Sequence, residues 1–362
     1  MHKLGIIGYG GMASGYHHEN AKRADVDLEA LCAYDIDPER RAYAQSRGLE
    51  AFDDLDKFLA QDFDLCLVAT PNNFHCEMAC AALNAGKNVI CEKPVAMSSA
   101  ELQKMIDTAE KNHKLFTVHH NRRWDRDFMI VKQAFDDGTI KQPYMIESRI
   151  HSNSGSMQGW RGEPDHGGGM LLDWGIHALD QMLYLVKEPI STVSATIRSV
   201  CSTKVDDYAK VIITFESGLA AQVEVATFAI QPLPRWSVYG RDAALTVDAI
   251  SSEKGKLRIV RNAHTDHCEL KAYNHGGDTA HEGIWREHSV EKRYDDYFRC
   301  EFVDAIYPQN DLPQDWASLY KNVLAAIDGR EELIVKPAEV MRVMRVVEAA
   351  FKSDSEHITV KF

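Results

Sequence analysis

The sequence predicts an α/β fold made of two parts, each with its own sheet. In residues 1–122, short apolar runs alternate with amphipathic segments, which is typical of a parallel sheet with crossover helices. Residues 190–248 contain runs in which apolar and polar side chains alternate, and this pattern indicates an antiparallel sheet. A length of 362 residues also suits two domains, which we predict to span 1–122 and 123–362.

The predicted parallel sheet consists of five apolar runs with helices between them. We expect strands at 4–7, 28–34, 64–69, 88–91 and 115–118, and helices at 12–23, 38–47, 73–85 and 98–113. Two of the helix starts have a physical reason. Asp37 directly before Pro38 suits a cap followed by the first helical position. Ser98 and Glu101 have the spacing of a capping box.

The second part is predicted to combine antiparallel strands with further helices. We expect extended segments at 143–151, 190–200, 208–215, 219–229, 236–239, 243–248 and 358–360. We expect helices at 126–137, 174–186, 294–306, 315–328 and 337–352. Residues 261–292 are polar and contain five histidines, so we predict a long loop there.

Composition and charge exclude several classes of protein. The 41 basic and 54 acidic side chains give a net charge of −13, which repels a phosphate backbone, so we predict no nucleic-acid partner. No run approaches the roughly 20 apolar residues that a membrane helix needs. The N-terminus enters a strand pattern at once and carries no secretory signal sequence, so we predict a cytoplasmic protein without a membrane partner.

The cysteines and clustered histidines do not form a convincing metal site. Several of the eight cysteines lie in apolar runs, and we predict buried free thiols rather than disulfides. Cys76 and Cys80 share a helix face but have no second ligand pair nearby. The adjacent residues His119 and His120 point to opposite faces of a strand end. His264, His267 and Cys268 lack an obvious fourth ligand.

The segment after the first predicted strand has the pattern of a dinucleotide-binding turn. Gly8, Gly10 and Ala13 form a G-x-G-x-x-A sequence that leads into a helix, whose N-terminus can hold phosphate groups. Asp35 ends the second strand, where a carboxylate can accept from the 2′-hydroxyl of a ribose. It would repel a 2′-phosphate, which favours NAD over NADP, although Arg40 could reach the same end of the cofactor.

The segment after strand 64–69 is also placed for cofactor contact. Ligands of an open parallel sheet lie beyond the carboxyl ends of its strands, and Thr70, Pro71, Asn72 and Asn73 follow such an end. His75 stands just inside the next helix. For this histidine, a structural role in the first helical turn is as well supported as contact with a ligand.

Two further motifs reveal a resemblance that covers nearly the whole chain. Glu92-Lys93-Pro94 ends the strand at 88–91, and residues 167–177 read Gly-Gly-Gly-Met-Leu-Leu-Asp-Trp-Gly-Ile-His. Together with the glycine turn, the segment 121–124 and the helix through 340–351, they resemble the glucose–fructose oxidoreductase, inositol dehydrogenase and rhizopine-catabolism (Gfo/Idh/MocA) family.

This resemblance implies both an architecture and a chemistry. It implies an N-terminal Rossmann domain and a C-terminal α/β domain with a large, open, mostly antiparallel sheet. That sheet often forms the subunit interface, so we expect a homodimer or homotetramer. The reacting group would be a hydroxyl of a sugar, glycoside or cyclitol. The expected cofactor contacts are Gly8, Gly10, Gly11, Met12, Ala13, Asp35, Arg40, Thr70, Pro71, Asn73, His75, Glu92, Lys93 and Asn121.

Lys93, Asp173 and His177 fall on the catalytic positions of that family. Oxidation of a secondary alcohol removes a hydride, which the nicotinamide accepts, and a proton, for which an imidazole is a suitable base. Asp173 precedes His177 by four residues, so on a helix both side chains share a face. The ammonium of Lys93 could stabilise a developing alkoxide. Taken singly, these residues could equally be a packed histidine, a surface lysine and a helix cap.

Three further residues are predicted to contact the substrate. Trp160 and Arg161 could offer a stacking face and paired donors to a sugar, and a structural role for them is an equal alternative. Arg122 lies in the segment 121–124 that carries part of the resemblance. Asp180 and Gln181 follow His177 on the same predicted helix and could support it or face solvent.

The sequence therefore predicts an NAD-dependent dehydrogenase that acts on a secondary hydroxyl of a sugar, sugar derivative, glycoside or cyclitol. Two alternatives remain open at this point. The same residues could serve a redox-neutral enzyme in which a tightly bound NAD oxidises the sugar transiently to a keto form and later reduces it again. A non-catalytic sensor of sugar and dinucleotide could share the fold.

Overall fold

The computed structural model describes residues 1–260, 302–308, 310–312 and 314–362, and its N-terminal part contains a six-stranded parallel sheet. The strands are β1 (His2–Ile7), β2 (Leu28–Tyr34), β3 (Glu50–Phe52), β4 (Leu65–Val68), β5 (Asn88–Cys91) and β6 (Phe116–Val118). Their order in the sheet is β3-β2-β1-β4-β5-β6. The strand order reverses between β1 and β4, and a ligand crevice opens beyond the carboxyl ends of the strands at such a point.

The helices of this part connect the parallel strands as the sequence predicts. They are α1 (His18–Ala21), α2 (Pro38–Ser46), α3 (Leu55–Leu59), α4 (His75–Asn84) and α5 (Ser99–Lys111), and a π-helical turn over Ala13–His17 precedes α1. Both predicted caps are confirmed. Oδ1 of Asp37 accepts from the N–H of Glu39 at 2.8 Å, and Oγ of Ser98 accepts from the N–H of Glu101 at 3.2 Å.

The centre of the parallel sheet is apolar on both faces, which is typical of a sheet covered by helices. All four residues of β4 are buried, and so are the last four residues of β1. The prediction of free thiols is confirmed for the described cysteines, which are Cys32, Cys66, Cys76, Cys80, Cys91 and Cys201; all but Cys201 are buried. Cys268 and Cys300 lie outside the described residues.

A nine-stranded, mostly antiparallel sheet forms the framework of the C-terminal part. Its strands are β7 (Met145–His151), β8 (Ile190–Arg198), β9 (Tyr208–Phe215), β10 (Ala220–Ala226), β11 (Trp236–Tyr239), β12 (Ala243–Val247), β13 (Gly255–Val260), β14 (Phe302–Tyr307) and β15 (Val360–Lys361). The order is β14-β13-β12-β11-β7-β10-β9-β8-β15. Only the pair β7–β10 is parallel among these described strands.

In the part of the chain that the structure describes, four helices accompany the second sheet and join it to the first part. They are α6 (Arg126–Asp136), α7 (Ile176–Leu185), α8 (Ser318–Ile327) and α9 (Pro337–Glu356). Helix α7 contacts β7 and β10, whereas α9 contacts β8, β6 and α5. The hydroxyl of Thr117 in β6 also donates to the carbonyl oxygen of Val335 at 2.7 Å. The C-terminal helix therefore packs on both parts, and the division after residue 122 stays a prediction.

Several predicted elements differ from the structure. The helix predicted at 294–306 is wrong over its described end, because Phe302–Tyr307 is strand β14, paired antiparallel with β13. Residues 294–301 and the predicted loop 261–292 lie outside the described residues. The short elements β3, α3 and β13 were not predicted. The last strand starts at Val360, after His357 ends α9 with a φ of 56°.

No helix in the described part of the chain is both long and apolar enough to cross a membrane.

Candidate active site

The turn after β1 is shaped for the approach of a phosphate. Gly8 has a φ of +86°, and a Cβ there would lie 2.8 Å from a carbonyl oxygen of the chain after β4, so only glycine fits. A Cβ at Gly10 or Gly11 would meet no described atom within 4 Å, so the space above them is open to a ligand. Met12 is 41% exposed, and Ala13 is fully buried. The chain is helical from Gly11 onward, which leaves the first N–H groups of that helix free for an anion.

The carboxylate of Asp35 lies beside this turn at the end of β2. Its Oδ2 accepts from the backbone N–H of Tyr9 at 2.7 Å, and its Oδ1 accepts from that of Asp37 at 2.9 Å. A carboxylate has about four acceptor sites, so Asp35 can still accept from ribose hydroxyls. Arg40 is exposed. Its neighbour Arg41, which was not predicted, donates to the carbonyl oxygen of Asp35 at 2.9 Å and so braces this loop.

The loop after β4 forms the next part of the same sheet edge. Thr70 has a buried Oγ1 without a hydrogen-bond partner among the described residues, as expected of a group that awaits a ligand. Pro71 and Asn73 are half-buried. Oδ1 of Asn73 lies 3.3 Å from Nδ1 of His166, and Nδ2 of Asn72 donates to a backbone oxygen of the loop before α7 at 3.0 Å. The cofactor edge and that loop are therefore joined.

His75 has a structural role in this geometry. Its ring is fully buried, with Nδ1 at 2.8 Å from the carbonyl oxygen of Pro94 and Nε2 at 2.9 Å from that of Thr70. Both ring nitrogens therefore face the backbone and leave no polar atom for a cofactor. Of the two roles that the sequence left open, the geometry supports the structural one, and we do not include His75 among the proposed cofactor contacts.

The carboxylate of Glu92 points into the protein and anchors the backbone of Lys93. Its Oε1 accepts from Nε2 of His17 at 2.7 Å and from Nδ1 of His119 at 2.9 Å, and its Oε2 accepts from the N–H of Lys93 at 3.0 Å. Burial opposes ionisation of Glu92, but His119 and His17 hold its pKa well below the usual range. Both oxygens of this carboxylate therefore have partners within the protein, and one of them holds the backbone at Lys93.

The same three side chains are close enough to be considered as metal ligands, because their ligand atoms lie within 4.8 Å of one another. Their hydrogen bonds explain the arrangement without an ion. Nε2 of His17 contacts Glu92, and Nδ1 of His17 contacts the hydroxyl of Tyr320 at 2.5 Å. Both nitrogens of this imidazole are therefore satisfied by protein atoms, and we assign the cluster a structural role.

Hydrogen bonds place the ends of three neighbouring parallel strands side by side. The N–H of Ala69 donates to the carbonyl oxygen of Ile7, and the N–H of Glu92 donates to that of Val68, each at 2.8 Å. The ends of β1, β4 and β5 are therefore adjacent. Lys93 follows directly after Glu92, so its side chain starts at the same sheet edge as the glycine turn, with the end of β4 between them.

Lys93 and Asp173 form an ion pair although 80 residues separate them. Nζ of Lys93 lies 2.9 Å from Oδ1 of Asp173 and 2.9 Å from its carbonyl oxygen. Nε of Arg161 lies 3.2 Å from the same Oδ1. Burial opposes ionisation of Asp173, but Lys93 and Arg161 outweigh it, and the pKa of Asp173 is lowered. The carboxylate is therefore ionised and holds both cations in place.

His177 is the second residue of α7 and lies on the same side of the site. A π-helical turn over Leu171–Gly175 carries Asp173 and leads into α7, so the segment is helical as predicted but wider at its start. Such turns are frequent at functional sites. His177 is 5% exposed, and burial lowers its pKa well below the usual range, assisted by Lys93 and Arg122. The imidazole is neutral at neutral pH and can accept a proton.

The side chains predicted to contact the substrate add aromatic and cationic groups around Lys93, Asp173 and His177. The guanidinium of Arg161 lies 4.4 Å from the centre of the Trp160 ring, and that of Arg122 lies 4.2 Å from the centre of the Trp174 ring. Arg122 is also held by Asp125, at 2.8 Å. These pairs present flat surfaces and N–H donors of the kind that bind sugars. Asn121 is buried and bonds to the hydroxyl of Tyr16.

Comparison with known families explains why these groups occur together. Residues 2–120 match a model described as an oxidoreductase family with an NAD-binding Rossmann fold. Residues 128–246 match the Gfo/Idh/MocA C-terminal domain. The chain belongs to the Gfo/Idh/MocA oxidoreductase family. The predicted resemblance and fold class are thereby confirmed, and the N-terminal part is the one that binds a nicotinamide dinucleotide.

Individual relatives of this Gfo/Idh/MocA protein agree with the assignment. An NAD-binding protein from Listeria innocua has a crystal structure that superposes with a TM-score of 0.83 at 34% identity, covering 99% of this chain and 96% of that one. The scyllo-inositol 2-dehydrogenase (NADP(+)) IolW of Bacillus subtilis is 23% identical over 99% of this chain and 95% of its own. The D-glucoside 3-dehydrogenase of Escherichia coli is 32% identical over 53% and 56%, respectively.

Sequence reasoning missed several side chains around the site of this family member. Trp174 and His166 stand within or beside quoted motifs, so their position there could have pointed to them. Asp206 was not considered. It accepts from the N–H of Leu171 at 2.8 Å and thereby holds the turn that carries Asp173. Its partner is 35 residues away, and no local sequence pattern predicts such a contact.

Proposed function

We propose that this protein is an NAD-dependent dehydrogenase that oxidises a secondary hydroxyl of a sugar, sugar derivative, glycoside or cyclitol. The observation that supports it most directly is that Lys93, Asp173 and His177 lie together at the sheet edge that also carries the glycine turn. The relatives named for scyllo-inositol and for a D-glucoside support a ring hydroxyl as the substrate group. Membership of the oxidoreductase family supports the reaction type.

Each member of this trio has a separate task in the proposal. The nicotinamide, when bound, supplies the acceptor for the hydride of the substrate carbon. The Nζ of Lys93 donates to the reacting oxygen and stabilises the negative charge that develops on it. His177 accepts the hydroxyl proton, which its neutral state permits. Asp173 holds Lys93 and Arg161 through one carboxylate oxygen and so fixes the direction of their donors.

The preference for NAD over NADP belongs to the same proposal. Asp35 places a negative charge at the end of β2, where a ribose 2′-phosphate would have to bind. Both oxygens of Asp35 are already oriented by the backbone, so the carboxylate is preorganised for two ribose hydroxyls. The relative from Bacillus subtilis is NADP-linked, so family membership alone does not decide this point.

The direct test is a panel of sugars, glycosides and cyclitols with NAD and with NADP, followed by the absorbance of the reduced nicotinamide. We expect at least one compound to yield NADH and a keto product in equal amounts. Product without accumulated NADH would replace the proposal with the redox-neutral reaction. Binding of sugar and dinucleotide without any product, across the whole panel, would contradict an enzymatic role.

A further inference from the structure

The imidazole of His120 packs against the imidazole of His177. His120 is 1% exposed, yet neither of its ring nitrogens has a hydrogen-bond partner among the described residues. Nδ1 of His177 is buried without a partner in the same way. The two ring centres are 6.1 Å apart, with the ring planes at 80°. Buried polar atoms are nearly always hydrogen-bonded, so three orphaned nitrogens in one place indicate a contact that a small shift or one bound water completes.

His120 also lies near a carboxylate that is already fixed. Nδ1 of His120 lies 3.8 Å from Oδ2 of Asp180, which is 2% exposed. Both oxygens of Asp180 also accept from Arg123, at 2.8 and 2.6 Å, and Arg123 continues to Glu339 at 2.7 Å. An ionised carboxylate only accepts hydrogen bonds. A chain of hydrogen bonds that ends at Asp180 can therefore run in one direction only.

We propose that His120 is a positioning residue that selects the tautomer of His177. Asp180 accepts the proton on Nδ1 of His120, and Nε2 of His120 accepts from the N–H at Nδ1 of His177. Nε2 of His177 is then left without a proton and is free to act as the base. The role of His177 as a base rests on the proposed function, whereas the proposed hydrogen bonds among His177, His120 and Asp180 do not.

The proton balance of the step follows from this arrangement. The hydroxyl proton moves to Nε2 of His177, while the substrate carbon loses its hydrogen with both bonding electrons to the nicotinamide. His177 becomes a cation that keeps its bond from Nδ1 to His120, and the proton later leaves from Nε2 to solvent. Such a partner stabilises the imidazolium and prevents the unproductive tautomer, as a buried carboxylate does in a catalytic triad.

Burial and the charged groups around the two rings keep both imidazoles neutral, so the tautomer of His177 depends on its hydrogen-bond partner. Burial lowers the pKa of His177, and the cations Lys93 and Arg122 lower it further, opposed by Glu92. Burial also lowers the pKa of His120, to about 4; Asp180 opposes this, whereas its other charged neighbours, Arg123, His119 and Lys93, add to it. Both imidazoles are therefore neutral at neutral pH. A neutral imidazole has two tautomers, and only one of them presents a base to the substrate.

The tautomer can be measured without any substrate. The holoenzyme is prepared with ¹⁵N-labelled histidine, and the ring signals of His177 are assigned with the variant His177→Asn. At pH 7.5 we expect His177 to be protonated at Nδ1 and unprotonated at Nε2, and we expect the two tautomers to mix in His120→Phe. Protonation at Nε2 in the parent protein, or an unchanged tautomer in His120→Phe, would overturn the proposal. This outcome is independent of whether the protein proves to be a dehydrogenase.

Kinetics on the substrate found by the panel provides the second measurement. We expect His120→Phe to lower kcat by at least about 30-fold with KM changed less than about threefold, because the loss concerns the base and not substrate binding. His120→Gln, whose amide oxygen can still accept from Nδ1 of His177, should recover part of kcat. The acid limb of the kcat profile should move to lower pH in His120→Phe, because the imidazolium loses its partner.

The matched control is His18→Phe. His18 is an equally buried imidazole, 2% exposed, that bonds to the hydroxyl of Tyr9 and does not contact the trio. We expect its kcat to stay within about twofold of the parent value. A His120→Phe variant with kcat within threefold of the parent, or a His120→Gln variant no better than His120→Phe, would overturn the proposal. A parent protein that oxidises nothing in the panel would instead contradict the proposed function and leave the tautomer measurement to decide this inference.

Discussion

Asp173 is a half-buried carboxylate whose charge depends on two neighbouring cations. Burial alone would raise its pKa, but Lys93 and Arg161 approach one of its oxygens at 2.9 and 3.2 Å and reverse the effect. Removal of one partner from such an arrangement leaves a charge uncompensated, which costs more than the ion pair contributes. Asp173 therefore couples the two cations, and changes at any of the three residues should not be additive.

Asp35 allows a test of cofactor choice at the scale of one residue. In Asp35→Asn, the amide oxygen can still accept from the N–H of Tyr9, but the negative charge is lost. We expect the ratio of kcat/KM with NAD to kcat/KM with NADP to fall by at least about tenfold, because repulsion of a 2′-phosphate is removed. Steady-state kinetics with both cofactors measures this ratio.

Asp37→Asn is the control for that change. Asp37 is two residues away and caps α2 through the N–H of Glu39. An asparagine also caps helices well, so its ratio should match that of the parent protein. An unchanged ratio in Asp35→Asn, or an equal fall in Asp37→Asn, would contradict a role for Asp35 at the ribose.

The sequence reveals site residues that belong to local motifs, but it does not reveal partners that are distant along the chain. The glycine turn, Asp35 and the segments around Lys93 and His177 are readable because turn geometry and strand ends constrain nearby residues. By contrast, His17 meets Glu92 across 75 residues and Tyr320 across 303 residues. Only the packed fold brings these partners together, so the anchor behind Lys93 could not be derived from the sequence.

The π-helical turn Leu171–Gly175 is the element that carries Asp173 to its partners. Asp206 holds this turn, because its carboxylate accepts from the N–H of Leu171 and its carbonyl oxygen accepts from that of Met170. Burial raises the pKa of Asp206 to about 6, and the backbone N–H groups oppose this only in part. The folded protein therefore binds a proton at Asp206 more tightly than the unfolded chain does.

Asp206→Asn should stabilise the protein at neutral pH. Because the pKa of Asp206 is higher in the folded state than in the unfolded chain, the free energy of unfolding falls as pH rises from about 4 to about 6. It stays lowered at higher pH. An asparagine keeps an acceptor for Leu171 without the charge. We expect its free energy of unfolding at pH 7.5 to exceed that of the parent by about 1–3 kcal/mol, and to equal it near pH 4. Urea unfolding at both pH values measures the difference.

Asp207→Asn is the neighbouring control, with the opposite expectation. Burial opposes ionisation of Asp207, but the N–H groups of Val200, Ser202 and Cys201 outweigh it and lower its pKa. Removal of that charge should therefore destabilise the protein at pH 7.5. Loss of stability in Asp206→Asn at this pH would contradict the account of the turn.

Elements with a single strong pattern were predicted, and short or ambiguous ones were not. The five predicted parallel strands and the capped helices α2 and α5 are confirmed, because their apolar periodicity and caps agree. Residues 302–306 fit a helix or a strand equally well by pattern. Pairing with β13 at the edge of the large sheet decides for the strand, and that pairing is a property of the folded sheet.

At the scale of the whole molecule, the nine-stranded sheet packs α7 and α9 on one face. We propose that its other face joins subunits into a homodimer or homotetramer, as the family resemblance implies. Ile212 in β9 lies on this face, is 40% exposed and pairs with Gln222 and Ser194 on the flanking strands. An exposed β-branched side chain between polar neighbours suits a partly apolar interface.

Ile212→Arg should weaken this assembly. A charge buried without a partner at an interface is costly, so the variant should sediment as a smaller species than the parent protein at equal concentration. Sedimentation velocity measures both sizes, and circular dichroism checks that the variant is folded. A monomeric parent protein, or a variant of unchanged size, would contradict an interface on this face.

Buried neutral histidines should make the whole fold sensitive to acid. Burial lowers the pKa of His17, His18 and His120 to about 4 each, whereas an unfolded histidine has a value near 6.5. The unfolded chain binds more protons between these values, so the free energy of unfolding should fall as pH drops from about 6.5 to 4, by up to about 3 kcal/mol per histidine. Denaturant unfolding at pH 7.5 and 5 tests this, and equal values would contradict it.

The most direct measurement of the central claim is turnover by Lys93→Ala and His177→Ala on a substrate identified by the panel. Both variants should still bind the dinucleotide, which fluorescence titration checks, and the exposed Lys104→Ala on α5 serves as the control. We predict that kcat falls by at least about a hundredfold in each of the two variants and stays unchanged in Lys104→Ala. Turnover within a few-fold of the parent protein in either variant would contradict the assignment of these residues to the chemistry.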